Sequence, residues 1–123
     1  MNNEEIMTGV ELEIILKAGK ILLSSGAEIS RTEDTMNYIA RAMNFKYLEA
    51  YVSNRGIFAT AKKADGTEIT RIYNVPEVDI NLSKIESVNA LSRRITQKNI
   101  TIEEIESELN QIDTMSDYSF FWR

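Results

Sequence analysis

The spacing of apolar residues divides the chain into helical and extended segments, and the first segment is a long helix from about Glu4 to Ser25. Apolar side chains recur there at helical spacing along two lines. The first line is Ile6, Val10, Ile14, Ala18 and Leu22, and the second is Leu12, Leu16 and Leu23. A helix that is apolar on two sides is usually buried on two sides, so we predict a central core helix. The alternative is that one side is kept for a partner subunit.

The second helix is predicted to begin at a capping box and to lie antiparallel to the first. Gly26 follows the last apolar turn of the first helix and is suited to a left-handed C-cap. Ser30 and Glu33 have the spacing at which a serine hydroxyl and a glutamate carboxylate each accept a hydrogen bond from the other residue's backbone N–H. One apolar stripe follows at helical spacing: Met36, Ile39, Ala40 and Met43. The short link between the two helices favours an antiparallel pair.

In the middle of the chain the apolar period changes to two, which is typical of strands with one buried face. Alternation covers residues 47–53, 57–62 and 68–75. Asn54-Arg55-Gly56 separates the first two segments, and Asp65-Gly66, whose residues tolerate a positive φ, separates the second from the third. We therefore predict a three-stranded antiparallel meander, which needs helices on one face to be stable.

Two further helices close the chain. Asn81 is the predicted N-cap of the third helix, and Thr101 with Glu104 forms a second candidate capping box at the start of the fourth. The predicted inward stripes are Leu82, Ile85, Val88 and Ile95, then Ile105, Leu109 and Ile112. The element order ααβββαα predicts an α+β fold, with residues 1–113 forming a single domain.

Composition excludes several kinds of chemistry. The chain has no cysteine and no histidine, so it has no disulfide, no Cys/His metal site and no triad that uses either residue. We expect no metal and no cofactor, and any acid–base chemistry would use carboxylates, lysine or tyrosine. The net charge of −5 repels phosphate backbones, so we also expect no binding to nucleic acid.

The densest polar cluster lies at the predicted corner between the first two helices. The first turn of the second helix favours an anion, and Arg31 could add a bidentate contact to a carboxylate. Glu28 or Asp34 could bind an ammonium group, so the corner complements an amino-acid zwitterion. In the alternative, structural interpretation Glu33 caps the helix and Arg31 pairs with Glu28 or Asp34.

Two more polar residues are candidates outside this corner. Arg71 is expected on the open face of the sheet or at its solvated edge, where it could contribute to ligand binding. Asn89 falls on the inner side of the third helix, and such an amide is more often satisfied within the core than used to bind a ligand.

The chain resembles the threonine/serine exporter family. The resemblance covers roughly residues 10–110 and rests on an ordered set of segments: residues 18–28, residues 31–36, Gly56-Ile57-Phe58, Thr70-Arg71-Ile72, residues 80–85 and residues 88–95. It implies the N-terminal cytosolic domain of a membrane transporter that exports threonine and serine. It carries no catalytic residue onto this sequence.

The resemblance also implies partners and a location. The domain would lie on the cytoplasmic side of the cell membrane, next to a bundle of membrane helices in the same protein or in a separate subunit, and it could form a homo-oligomer. Residues 114–123 would be a juxtamembrane tail, because Phe120-Phe121-Trp122-Arg123 has the aromatic and basic character of a membrane interface. A docked C-terminal tail is the alternative.

Two functional classes remain open at this point. The first is a soluble, non-enzymatic domain that gates transport, senses threonine or serine, or assembles subunits, and that transports nothing by itself; the chain would then be a fragment cut before the first membrane helix or a truncated relative. The second is a small hydrolase-like enzyme domain that uses carboxylates and is fused to a membrane partner.

Overall fold

A computed structural model describes residues 3–75 and 77–115, and its elements follow the predicted order. The helices are α1 (Asn3–Ser24), α2 (Ile29–Ala42), α3 (Leu82–Thr96) and α4 (Ile102–Asp113), and the strands are β1 (Phe45–Ser53), β2 (Gly56–Lys63) and β3 (Glu68–Asn74). The predicted α+β fold, with two helices before a three-stranded sheet and two after it, is confirmed. The aromatic segment at residues 118–122 lies outside the described residues.

The sheet is an antiparallel meander in the order β1-β2-β3. The helix-covered face carries the buried side chains of Ile57, Ala59 and Ala61 in the central strand. None of the described helices covers the opposite face, where an exposed apolar row forms as Tyr51 pairs with Phe58 and Phe58 with Ile72. The helices therefore cover one face only, which is what three strands need for stability.

α1 is the central helix that the sequence predicts. It packs against α2, α3, α4, β2 and β3. Residues from both predicted apolar lines are buried, including Leu12, Leu16 and Leu22. The first turns depart from the prediction, because Ile6 is 49% exposed at the end of α1 that extends beyond the core. Within the part of the chain that the structure describes, no helix is both long enough and apolar enough to cross a lipid bilayer.

Three of the predicted helix ends are confirmed. Gly26 has φ +97° and ends α1 in a Schellman motif, in which Ala27 N–H donates to the Leu22 carbonyl at 3.0 Å and Gly26 N–H donates to the Leu23 carbonyl at 3.2 Å. The Asn81 side chain accepts a hydrogen bond from Lys84 N–H at 3.0 Å. Thr101 and Glu104 form the full capping box at the start of α4.

The capping box predicted at Ser30 and Glu33 is wrong. α2 begins at Ile29, and its N-cap is Glu28, whose side chain makes no capping hydrogen bond. The Schellman motif leaves only Ala27 and Glu28 before the helix, and the Glu28 carbonyl already accepts from Thr32 N–H at 3.0 Å. Thr32 is fully buried, so the phase of the helix places Ser30 in the first turn and facing outward.

The predicted inward position of Leu82 is also wrong. Leu82 is 65% exposed, because it is the first residue of α3 and lies at the rim of the helix corner described below. The other inward residues of α3 and α4 are buried or packed against the core.

The two predicted capping boxes provide a matched pair of stability measurements. We expect Thr101→Ala to lower the free energy of unfolding by about 1 kcal/mol, since it removes the N-cap acceptor of α4. Ser30→Ala is the control, and it should leave the free energy of unfolding within ~0.5 kcal/mol of wild type because the N-cap of α2 is Glu28 and not Ser30. Chemical denaturation measures both. A larger loss for Ser30→Ala than for Thr101→Ala would contradict these assignments.

Candidate functional site

The corner between α1 and α2 is held in place by the segment that leads into α3. Asp79 N–H donates to the Ser24 carbonyl at 2.8 Å, and Asn81 N–H donates to the Ser25 carbonyl at 3.0 Å. Ile80 lies directly over Gly26, where a Cβ would come within 3.2 Å of Ile80 Cγ1. These contacts place the first turns of α3 beside the start of α2.

A cavity of about 320 Å³ opens where the three helices meet. Its lining residues are Leu22, Gly26, Ala27, Glu28, Arg31, Leu82, Ile85 and Asn89. We call this space the corner cavity. One part of its wall is apolar, and the rest carries one carboxylate, one guanidinium and one amide. The structure thus brings Glu28 and Arg31 together, as the sequence predicts, and adds a wall from α3.

The two charged side chains at the corner cavity have no partner among residues 3–75 and 77–115. In the described part of the chain, neither the Glu28 carboxylate nor the Arg31 guanidinium forms an ion pair or a side-chain hydrogen bond. The pairing of Arg31 with Glu28 or Asp34, which the structural interpretation requires, is therefore not present among these residues. The first turn of α2 also lacks a side-chain cap, so its positive end and Arg31 together favour an anion.

The other two predicted site residues lie elsewhere. Asp34 is exposed on α2 and is not among the residues that line the corner cavity. Arg71 lines a separate cavity of about 490 Å³ between the N-terminal half of α1 and β3. Of its two predicted places, the open face of the sheet is wrong, whereas the solvated edge is confirmed, because β3 is an edge strand and Arg71 is exposed on it. Positions 69, 71 and 73 share one face, and the register pairs Arg71 with the buried Ala59 on the helix-covered side.

Arg71 belongs to a small polar network that joins β3 to α1. Its Nε lies 3.3 Å from Oε1 of Glu13, and the Tyr73 hydroxyl donates a hydrogen bond to Oε2 of the same carboxylate. Partial burial and the neighbouring Glu13 carboxylate raise the pKa of the Tyr73 phenol above its ordinary value. The sequence gives no signal for Glu13, because its position follows from the packing of α1 on the sheet.

A carboxylate pair of the kind that a hydrolase could use does occur, but on the surface. Glu4 at the start of α1 and Asp65 in the β2–β3 hairpin lie close together, and the Asp65 carboxylate raises the pKa of Glu4. Neither residue lines the corner cavity. Among the described residues there is also no cluster of three or more acidic side chains that could hold a metal ion.

Asn89 also lies in a different place from the core position that the sequence favours. It is half-buried and lines the corner cavity instead of filling the core. Its location depends on how α3 docks against the corner, which the periodicity of α3 alone does not specify.

The comparisons with known proteins give one match. The model of the ThrE family, described as "Putative threonine/serine exporter", matches residues 13–123. Neither a curated protein nor a solved structure matches the chain significantly.

The Tyr73 network predicts how stability changes at alkaline pH. A tyrosine with a folded-state pKa above the unfolded value of about 10 stays protonated in the folded protein while the unfolded chain loses its proton. The free energy of unfolding should therefore fall as the pH rises above about 10. Urea denaturation at a series of pH values should show a smaller fall for Tyr73→Phe than for wild type. Equal falls would mean that Tyr73 is not held protonated by its surroundings.

Proposed function

This chain belongs to the ThrE family of threonine/serine exporters, and from that premise we propose that it forms a cytosolic, non-enzymatic domain that senses the transported amino acid at the corner cavity. In this proposal the path across the membrane belongs to a bundle of membrane helices, in the same protein or in a separate subunit. Binding of the amino acid in the corner cavity reports its concentration to that bundle.

The observation that carries this proposal is that two charged side chains on the wall of the corner cavity, Glu28 and Arg31, have no partner among the described residues. A free amino acid has a carboxylate and an ammonium group a few bonds apart. Arg31, the third residue of α2, supplies a planar set of donors suited to a carboxylate. Glu28, three residues earlier, supplies an acceptor suited to an ammonium group. Within the described chain each side chain is without a competing partner, so neither must break a contact to bind a ligand.

The N-terminal end of α2 adds to the attraction for a carboxylate. The aligned peptide dipoles give the start of a helix a positive partial charge of roughly half an elementary charge. A side-chain cap would occupy the first N–H groups, and α2 has none. Because no side chain caps α2 at Glu28, the start of the helix is available to an anion.

The size of the corner cavity suits a small ligand. Its volume of about 320 Å³ is at the lower end of the range for ligand pockets, ~300–1,000 Å³. Leu22 and Ile85 offer apolar surface to a short side chain. Glu28 and Arg31 are exposed, so solvent screens their contacts. We therefore expect millimolar affinity, ~−4 kcal/mol.

The corner cavity does not favour the hydrolase alternative. Acid–base hydrolysis needs two catalytic groups at one pocket, and Glu28 is the single carboxylate among the lining residues. The Glu4 and Asp65 pair lies at the other end of α1, where both side chains face solvent.

Titration of the protein with L-threonine and L-serine, followed by backbone amide NMR shifts, tests the proposal. We expect shifts around Gly26–Arg31 and Leu82–Asn89, with a dissociation constant of about 1 mM or weaker. Arg31→Ala should abolish these shifts because it removes the carboxylate donors. Arg41→Ala is the matched control, since it removes the same charge from the last turn of α2, away from the corner cavity.

Two results would contradict the proposal. One is the absence of shifts at about 50 mM ligand, far above the expected dissociation constant. The other is an equal loss of binding in Arg31→Ala and Arg41→Ala, which would indicate a general charge effect in place of a site.

A further inference from the structure

We propose that Asn89 reads the side-chain hydroxyl of the bound amino acid, and so gives the corner cavity its preference for threonine and serine over apolar amino acids of the same size. This inference rests on the proposed function, because it assigns a role within the same cavity. It concerns a residue that the sequence interpretation treats as a core amide.

The position of Asn89 on α3 supports this assignment. Leu82, Ile85 and Asn89 are spaced by three and four residues, so they form one stripe on α3. All three line the corner cavity opposite the start of α2. Glu28 and Arg31 lie on the α2 side. A ligand whose charged groups bind at α2 therefore presents its side chain to the stripe on α3.

The hydrogen bonding of Asn89 leaves its amide available. The backbone carbonyl accepts a hydrogen bond from the Ser92 hydroxyl at 2.8 Å. The side-chain amide makes no hydrogen bond to any residue that the structure describes. Buried and half-buried amides nearly always have a hydrogen-bond partner in the protein, in water or in a ligand. Because the described residues supply none here, this amide can pair with a group that enters the cavity.

The chemistry of the amide matches a hydroxyl group. An asparagine side chain offers both donors and an acceptor, and a hydroxyl both donates and accepts one hydrogen bond. Asn89 is the one neutral polar side chain on the α3 wall, where its neighbours Leu82 and Ile85 are apolar. Leu22 and Ile85 can contact the methyl group of threonine. A valine in the same place would leave the amide unpaired, which is how sites built around a hydroxyl reject analogues that lack it.

The test compares the isosteric pair L-threonine and L-valine, with L-serine and L-alanine as the smaller pair. Dissociation constants come from NMR titration of wild type, Asn89→Ala and Asn99→Ala. Asn99 is an exposed asparagine in the α3–α4 link and serves as the matched control. Wild type should bind threonine about tenfold more tightly than valine, the preference expected from one hydrogen bond. Asn89→Ala should lose that tenfold preference, because threonine loses its hydrogen bond and valine no longer leaves an amide unpaired, and Asn99→Ala should keep it.

The outcomes separate this inference from the proposed function. If wild type binds threonine and valine equally, or if Asn89→Ala keeps the full preference, the role of Asn89 is overturned while amino-acid sensing stands. If wild type binds no amino acid, the proposed function itself fails and the role of Asn89 fails with it. Asn89→Ser, which keeps a smaller polar group, replaces Asn89→Ala if circular dichroism shows that the alanine variant is unfolded, and it should weaken the preference by a smaller factor.

Discussion

The close approach of α1 to α2 and to the sheet at Gly19 is the contact on which the rest of the fold depends. A Cβ at this position would lie 2.6 Å from Met36 Sδ and 3.1 Å from Ile57 Cδ1. Met36 and Ile57 are themselves almost completely buried, so neither can move aside without disturbing close-packed neighbours. Glycine therefore lets α1 lie deep enough to contact all three other helices and two strands at once.

Polar contacts fix the position of α1 along and around its axis. Lys63 Nζ on β2 lies 2.8 Å from Oε1 of Glu11, and both side chains are mostly buried. The same ammonium group donates to the Met43 carbonyl at 2.6 Å. Two residues further along α1, Glu13 binds Tyr73 and Arg71 of β3. Because these contacts hold α1 on the sheet, they also set the position of its C-terminal end relative to α2 and α3. The corner cavity forms at that end.

How far the sequence predicts this protein depends on how local each feature is. The Thr101 capping box forms where residues 97–101 separate α4 from α3, whereas the Ser30 box fails because Gly26 ends α1 and leaves only Ala27 and Glu28 before α2. Glu28 and Arg31 share a cavity as predicted, since both belong to one helix start. Asn89 and the segment that carries Ile80 reach the same cavity through tertiary packing, which no local pattern encodes. Arg71 lies at the solvated sheet edge that the sequence predicts, but alternation alone does not reveal that it shares the helix-covered face with Ile69 and Tyr73.

The stability of two alanine variants of α1 tests the role of Gly19 most directly. Gly19→Ala and Gly9→Ala make the same change in one helix, and each gains about 1 kcal/mol of helix propensity. At Gly9 the nearest atoms to a new Cβ are 3.8 Å away, so this variant should be as stable as wild type or more stable. At Gly19 the overpacking, about 1–3 kcal/mol, should outweigh the gain and lower the free energy of unfolding. Equal stabilisation of both variants would contradict the central place given to this contact.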